Sequence, residues 1–298
     1  MDKILSLMVE QLAGNTRSKM KNLKEYGFNT DNKTYVIAEI GINHGGDLDL
    51  AKRMIDSASK TGCDAVKFQT YLTEQRAPKG NQEVFDILKK CELPFTDFEK
   101  LKNHADSYGI DFFSTPFDRE SIEYLESIGT EIYKIASFDV VNKSLLRDLS
   151  KTGKSIIMSV GMANFQEIME AYEILITKVK GLAILHCVSA YPTNEDNANL
   201  MVINELLGKF PNCVIGQSDH TPGIKVPLYA VAAGAQIIEK HYKIEDDMDC
   251  VDAPVSISEN MMKNLVSEIR SLENIMGDSK LQLTKPEEGS LIFRRPTK

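Results

Sequence analysis

The chain has 298 residues, of which 42% are hydrophobic and 26% are charged, and this composition is typical of a globular enzyme. Its net charge of −8 and its pI of about 5.3 argue against nucleic acid as the main partner, because a phosphate backbone requires a basic face. No run reaches the roughly 18–20 apolar residues of a membrane span. The five cysteines are widely spaced and form no Cys-x-x-Cys pair, which predicts reduced thiols in a cytoplasm.

The N-terminal segment Met1–Asn32 begins with a short apolar stretch that stops at Glu10 and continues into the basic run Arg17–Lys24. The apolar part is too short for the core of a secretory signal, so we interpret the segment as a short helix and a linker. The sequence divides into an N-terminal extension (1–33), one domain large enough for a complete enzyme fold (34–280), and a tail or truncated linker (281–298).

A pattern of strand, loop, helix and glycine repeats eight times along the chain. The strands are rich in Val and Ile and mostly lack alternation, as expected for a parallel sheet that is buried on both faces. Eight units favour a closed (β/α)8 TIM barrel, because an open doubly wound sheet usually stops at about five or six strands. The predicted strands are Tyr35–His44, Ala65–Tyr71, Asp111–Phe117, Ile132–Ser137, Ser155–Gly161, Leu182–Ser189, Cys213–His220 and Ile237–Ile244.

Two helix starts carry the spacing of a capping box, at Thr96–Glu99 and at Asn164–Glu167. The connection at about Leu72–Pro94 is longer than the usual βα loop of about 2–6 residues, so we expect it to cover the site. The glycines after the first strand do not have the Gly-x-Gly-x-x-Gly spacing, which argues against a dinucleotide site.

Polar residues end most of the strands, and in a parallel barrel all these ends open on one face. His220 and His241 end neighbouring strands and could share one metal ion, although each could also be an ordinary hydrogen-bonded histidine. With Asp219 and Glu239 alongside, we favour the metal. Two histidines with oxygen ligands leave Mn²⁺, Mg²⁺, Co²⁺ and Zn²⁺ open.

Two lysines, Lys67 and Lys134, lie within apolar strands, where a buried ammonium requires an anion. The anion could be a substrate, or it could be Glu39 or Glu239 in a structural ion pair. Strand periodicity places Lys134 and Ser137 on opposite faces unless the strand ends between them. Glu39, at the mouth of the first strand, could act in proton transfer. Hydroxyl groups suited to a phosphate or carboxylate lie on Thr115, Ser137, Ser159 and Ser218.

Segments on all eight strands together resemble the sialic acid synthase (nonulosonic acid synthase) family. The resemblance extends over about residues 35–290. The matching segments are Ala38–Gly46, Ala65–Thr70, Phe113–Phe117, Tyr133–Ser137, Met158–Met162, Leu185–Thr193, Gly216–His220 and Glu239–His241.

The resemblance implies a β/α barrel that condenses phosphoenolpyruvate (PEP) with an N-acetylmannosamine-like aldose, giving a nonulosonic acid and phosphate, with a divalent metal, typically Mn²⁺. It further implies a homodimer with small-molecule substrates. The positions that would hold PEP are Lys67, Thr115, Lys134, Ser137, Ser159, Ser189 and Ser218. Those of the metal are His220 and His241; those beside the acceptor sugar are Glu39, Gln69, Tyr191 and Asp252, and Asp139 stands where many members have glutamate.

Three features depart from the family pattern. Members usually continue into a small antifreeze-like domain that supplies an arginine to the partner's site, and here Arg294 or Arg295 could substitute for it. Phe138 replaces a glycine, and Asp246–Pro254 is not the common sugar-side loop. The alternatives are another PEP-condensing 3-deoxy-sugar-acid synthase and a non-catalytic barrel that acts as a binding protein.

Overall fold

The computed structural model describes residues 20–277 and 280–295. Eight parallel strands close into a barrel in sequential order, which confirms the predicted (β/α)8 fold. The helix expected before residue 20 lies outside the described residues, and the three-segment division of the chain stays a prediction. The strands are β1 (Tyr35–Gly41), β2 (Ala65–Thr70), β3 (Asp111–Pro116), β4 (Ile132–Ile135), β5 (Ser155–Ser159), β6 (Leu182–Cys187), β7 (Val214–Asp219) and β8 (Ile237–His241).

Helices surround the barrel and bury their apolar faces against the outside of the strands. None of the helices in the described ranges is both long and apolar enough to cross a membrane. They are α1 (Leu48–Ser59), α2 (Thr73–Arg76), α3 (Gln82–Cys91), α4 (Phe95–Ser107), α5 (Arg119–Ser127), α6 (Lys143–Lys151), α7 (Phe165–Leu175), α8 (Val202–Lys209), α9 (Lys225–Ala232) and α10 (Glu259–Met276).

The barrel interior changes from apolar to polar along each strand. On β1, Tyr35 and Ile37 belong to the apolar cluster inside the barrel, and Glu39 follows two residues later. On β8, Ile237 belongs to the same cluster and Glu239 follows it. Because strand side chains alternate with a period of two, these residues lie on one face of their strand and stack in layers. The inward positions nearest the carboxyl ends are therefore polar.

The segment before β1 closes the amino-terminal end of the barrel. Leu23 and Phe28 are buried in the interior apolar cluster. The hydroxyl of Ser155 donates to the carbonyl of Tyr26 at 2.7 Å. A Cβ on Gly181 would lie 2.3 Å from that same carbonyl, so only glycine lets the segment approach this closely. The carboxyl end is left as the open mouth.

One predicted capping box is confirmed and the other is wrong. At α7, Asn164 Oδ1 accepts from Glu167 N at 3.0 Å, and Glu167 Oε2 accepts from Asn164 N at 2.8 Å. Helix α4 instead begins at Phe95, after Pro94, and no side chain caps it. Proline at the boundary fixes the helix start one residue before Thr96, so the threonine falls inside the first turn.

Candidate active site

A cavity of about 240 Å³ opens at the carboxyl end of the barrel. Every predicted site residue lines it except Asp139 and Ser189. The cavity thus lies where β/α barrel enzymes place their active sites. The lining residues that the sequence predicted are Glu39, Lys67, Gln69, Thr115, Lys134, Ser137, Ser159, Tyr191, Ser218, His220, His241 and Asp252.

The strand register brings these side chains together. Glu39 on β1 stands beside Lys67 on one neighbouring strand and beside His241 on the other. Ser218 on β7 stands beside Glu239 on β8. Paired residues on adjacent parallel strands point to the same side of the sheet, so a single layer of the barrel carries acids, amines and imidazole together.

The two lysines lie at the centre of an ion network in the cavity floor. Lys67 Nζ lies 2.9 Å from Glu39 Oε1 and 3.9 Å from Glu239 Oε2. Lys134 Nζ lies 3.6 Å from Glu239 Oε1. All four side chains are at most 5% exposed. The ion pairs that were the alternative to a substrate anion are therefore present, and the same lysines also face the cavity.

Burial and mutual attraction set the protonation of this network. Burial raises the pKa of Glu39, although Lys67 opposes that shift. Burial lowers the pKa of Lys134 against the pull of Glu239. Burial also opposes ionisation of Glu239, but Lys134 and Lys67 hold its pKa well below the usual range. One oxygen of each glutamate is buried without a hydrogen-bond partner, so the network retains free acceptors.

Hydroxyl groups complete the surroundings of the lysines. Lys67 Nζ donates to Thr115 Oγ1 at 3.0 Å, and Lys134 Nζ donates to Ser159 Oγ at 2.7 Å. Ser218 Oγ donates to Glu239 Oε1 at 2.8 Å. This clustering of amines and hydroxyls is suited to the oxygens of a bound phosphate or carboxylate.

Ser137 reaches the same cavity in spite of strand periodicity. Strand β4 ends at Ile135, and Ser137 opens a short 3-10 turn, Ser137–Asp139. The backbone leaves the strand before Ser137, so the period of two no longer governs that side chain. The backbone N–H of Gly161 donates to Ser137 Oγ at 3.0 Å and fixes its position.

The two imidazoles lie together at one side of the mouth. The ring centroids of His220 and His241 are 5.3 Å apart. His220 Nδ1 donates to the carbonyl of Val188 at 2.8 Å, which leaves Nε2 as an acceptor. His241 Nδ1 lies 3.3 Å from Asp252 Oδ2, within ion-pair distance but without hydrogen-bond alignment. A backbone carbonyl or a carboxylate behind the ring is the usual arrangement of a metal-binding histidine.

The donor set of this histidine pair fits a metal ion held by two protein nitrogens. Within residues 20–277 and 280–295, no three His, Cys, Asp or Glu side chains form a metal-ligand cluster. An ion here would take its other ligands from water and substrate, which leaves positions open for chemistry.

Aromatic and amide groups border the pair. The ring of Tyr191 lies 4.0 Å from that of His220, measured between centroids. Gln69 Nε2 donates to Glu39 Oε1 at 3.1 Å. Asp252 also lines the cavity. Lys67 and Lys134 lie on β2 and β4, whereas the two histidines lie at the ends of β7 and β8, so the strand order gives the cavity an ammonium side and an imidazole side.

Two predicted site residues, Asp139 and Ser189, do not line the cavity, and neither does the neighbouring ion pair of Asp219 and Lys240. Asp139 accepts from Asn142 Nδ2 at 3.0 Å, beside the start of α6. Ser189 Oγ would lie 2.3 Å from a Cβ on Gly161, so it packs against that glycine. Asp219 does not join the histidines; it forms a buried ion pair with Lys240 at 2.7 Å, between Asp219 Oδ2 and Lys240 Nζ.

Sequence reasoning did not place every lining residue in the cavity, and the ones it left out are Ile42, Arg76, Phe117, Ala136, Phe138 and Cys187. Arg76 reaches the cavity from α2, Phe117 from the end of β3, and Phe138 from the turn after β4. The length of the β2–β3 connection signalled that this segment covers the site, but nothing in the sequence singled out Arg76 within it. The predicted loop itself contains α2 and α3.

Comparisons with known proteins identify the family of this chain. Residues 54–281 match the model of the NeuB family. The chain is 36% identical to N,N'-diacetyllegionaminic acid synthase of Campylobacter jejuni, covering 88% of this chain and 83% of that protein. It is 34% identical to a pseudaminic acid synthase of the same species, covering 90% and 82%.

A solved structure gives the same result. The N-acetylneuraminic acid (sialic acid) synthetase of Leptospira borgpetersenii superposes with a TM-score of 0.85 at 41% identity, covering 88% of this chain and 91% of that one. The family match spans more than half of the chain, and the resemblance stated from the strand motifs is confirmed. The chain belongs to the NeuB family and is an enzyme that condenses PEP with a sugar to give a sialic-type acid.

Proposed function

We propose that the cavity joins PEP to an N-acetylmannosamine-like aldose, with PEP on the ammonium side and the aldose on the imidazole side. The observation that carries this assignment is the pair of buried lysines, Lys67 and Lys134, facing one cavity with a histidine pair across it. A PEP anion would take the place of the glutamates as the partner of these lysines.

The PEP half of the site uses groups that already surround the lysines. Thr115 and Ser159 accept from the two ammoniums in the free protein and can turn their hydroxyls toward phosphate or carboxylate oxygens. Ser137 and Ser218 lie on the same cavity wall, and Ser189 stands just behind it. Each charge-assisted bond contributes roughly 1.5–3 kcal/mol, so the set can hold a small polyanion.

In the bond-forming step, carbon three of PEP attacks the aldehyde carbon of the sugar and positive charge develops at carbon two. Water adds at carbon two, and phosphate leaves by cleavage of its C–O bond. Glu39, whose pKa is raised by burial, lies between Lys67 and His241 and is placed to move a proton at this water. Gln69, Tyr191 and Asp252 border the acceptor.

Family membership implies a divalent metal ion. We propose Mn²⁺, held by Nε2 of His220 and by the ring of His241. The ion supplies Lewis acidity that polarises the aldehyde oxygen. The carbonyl of Val188 accepts from Nδ1 of His220 and so leaves Nε2 of that ring free for the ion, while Asp252 lies within ion-pair distance of His241 Nδ1.

Phosphate release tests the assignment. The protein is assayed with PEP and either N-acetylmannosamine or a pentose phosphate, before and after chelation and with Mn²⁺ added back. We expect turnover with the amino sugar alone, loss on chelation and recovery with Mn²⁺. Turnover with the pentose phosphate alone would overturn the proposal in favour of another PEP-condensing synthase, and turnover with neither would overturn N-acetylmannosamine as the acceptor. His220→Ala should abolish metal binding, whereas the control His104→Ala, at a half-buried histidine outside the cavity, should leave it unchanged.

Two further assignments accompany this function. We propose a homodimer, because apolar side chains stand exposed around the mouth, with Phe138 61%, Met162 63% and Met201 73% exposed. In sedimentation we expect the native protein to run as a dimer and Phe138→Asp to shift toward the monomer. We also propose a cytoplasmic location, which the five unpaired cysteines favour.

A further inference from the structure

Arg76 is a cation in the cavity that the lysine network does not use. It ends α2 in the β2–β3 connection and lines the cavity wall. Its guanidinium carbon lies 4.3 Å from the ring centroid of Tyr71 and 4.0 Å from that of Phe117. Two aromatic faces therefore hold the guanidinium plane in one orientation, which reduces the entropy lost when a ligand binds to it.

The guanidinium of Arg76 is held in place but has an N–H donor without an acceptor. Arg76 Nη1 is buried and has no hydrogen-bond partner. In the part of the chain that the structure describes, Arg76 also forms no ion pair with a carboxylate. A buried N–H without an acceptor is costly, and fixed donors of this kind in a cavity are satisfied when a ligand arrives.

Charge in the surroundings decides which ligand fits. The carboxylates whose charge acts on Arg76 are Asp252, Glu39 and Asp139. A phosphate or carboxylate bonded to Arg76 would enter the field of these three acids, and like charges repel. The ammoniums that suit PEP, Lys67 and Lys134, lie on the strands instead. The guanidinium is therefore suited to an uncharged oxygen on the second substrate.

We propose that Arg76 donates a hydrogen bond to a neutral oxygen of the acceptor sugar, an amide carbonyl or a hydroxyl, and thereby sets the affinity for that sugar. This inference rests on the proposed function, because it needs the aldose bound beside Asp252 and Glu39, two of the acids whose charge acts on Arg76. Arg76 is then a specificity residue for the acceptor and has no part in holding PEP.

Steady-state kinetics of Arg76→Met and Arg76→Lys test the proposal, with Arg119→Met, an exposed arginine on α5, as the control. Loss of one charge-assisted bond should raise the KM of N-acetylmannosamine about ten- to a hundredfold in Arg76→Met. Lysine should restore part of the loss. The KM of PEP should stay within about twofold in every variant, which also shows that the barrel is folded.

Acceptor analogues identify the bonded oxygen. If Arg76→Met raises the KM of mannose less than that of N-acetylmannosamine, the bonded oxygen is the amide carbonyl. If it raises both equally, the bonded oxygen is a hydroxyl, and either result supports the proposal. A loss confined to a phosphorylated acceptor would overturn it, as would an unchanged acceptor KM or a raised PEP KM in Arg76→Met. Wild-type protein that neither turns over nor binds any aldose in calorimetry overturns the proposed function as well, whereas wild-type turnover with an unchanged variant overturns this inference alone.

Discussion

Replacing Glu239 with Gln removes the carboxylate that both buried lysines share. Glu239 lies 3.6 Å from Lys134 and 3.9 Å from Lys67. At an effective dielectric constant of about 20, each separation corresponds to an attraction of about 4–5 kcal/mol, and much of this is offset by desolvation. Removing one partner of a buried pair leaves an uncompensated charge and costs about 3–5 kcal/mol. Lys134 has no second carboxylate within ion-pair distance among the described residues, so it is the charge left unbalanced.

That loss is large enough to measure by melting. Unfolding entropy is about 2.1 cal/mol/K per residue, which for 298 residues gives about 0.6 kcal/mol/K. A loss of about 3 kcal/mol therefore lowers the Tm of Glu239→Gln by about 5 °C without ligand. Glu123→Gln, an exposed glutamate paired with Arg119, should leave the Tm unchanged.

PEP should reverse the deficit. In the native protein PEP must displace Glu239 from the lysines, whereas in the variant the lysines have lost that competitor. We expect PEP to bind Glu239→Gln at least about tenfold more tightly, a difference of about 1.4 kcal/mol, and to raise its Tm more than that of the native protein. Calorimetry measures the Kd. An unchanged Tm together with an unchanged PEP affinity would refute the reasoning that this glutamate stands in for the substrate anion.

Three other outcomes follow from single contacts. Lys67→Met should raise the PEP KM by about tenfold or more, since a charge-assisted contact is lost, whereas Lys240→Met, outside the cavity, should lower stability and leave that KM unchanged. Burial lowers the pKa of His44 from the ordinary 6.5 to about 4. The neutral imidazole therefore contributes fully to stability above pH 6.5, and this contribution is lost as the pH falls toward 4. The free energy of unfolding in urea should fall by about 2 kcal/mol more between pH 7 and pH 5 in the native protein than in His44→Asn. Asn164→Ala should lower the free energy of unfolding in urea by about 1 kcal/mol, whereas Thr96→Ala should leave it unchanged. An equal decrease in both variants would contradict the helix starts described above.

The repeat of eight strands determined much of this site from the sequence. The carboxyl ends of parallel barrel strands open on one face, so Glu39, Lys67 and Ser218 could be placed at one mouth once eight parallel strands were recognised, and the strand register then put them in one layer. The position of His220 and His241 at the ends of sequential strands likewise made them neighbours. These inferences needed only local geometry and the closure of the barrel.

The tertiary structure alone decided what lies between and above the strands. Whether Lys67 meets Glu39 or Glu239 depends on distances across the barrel, and it meets both. The period of two already sends Asp219 to the face opposite Ser218, and only the packing around the barrel decided that its partner there is Lys240. Arg76 depends on how a long connection folds back over the mouth, and no sequence period governs that path. Loop direction is set by non-local packing, which is why this arginine emerged only from the folded chain.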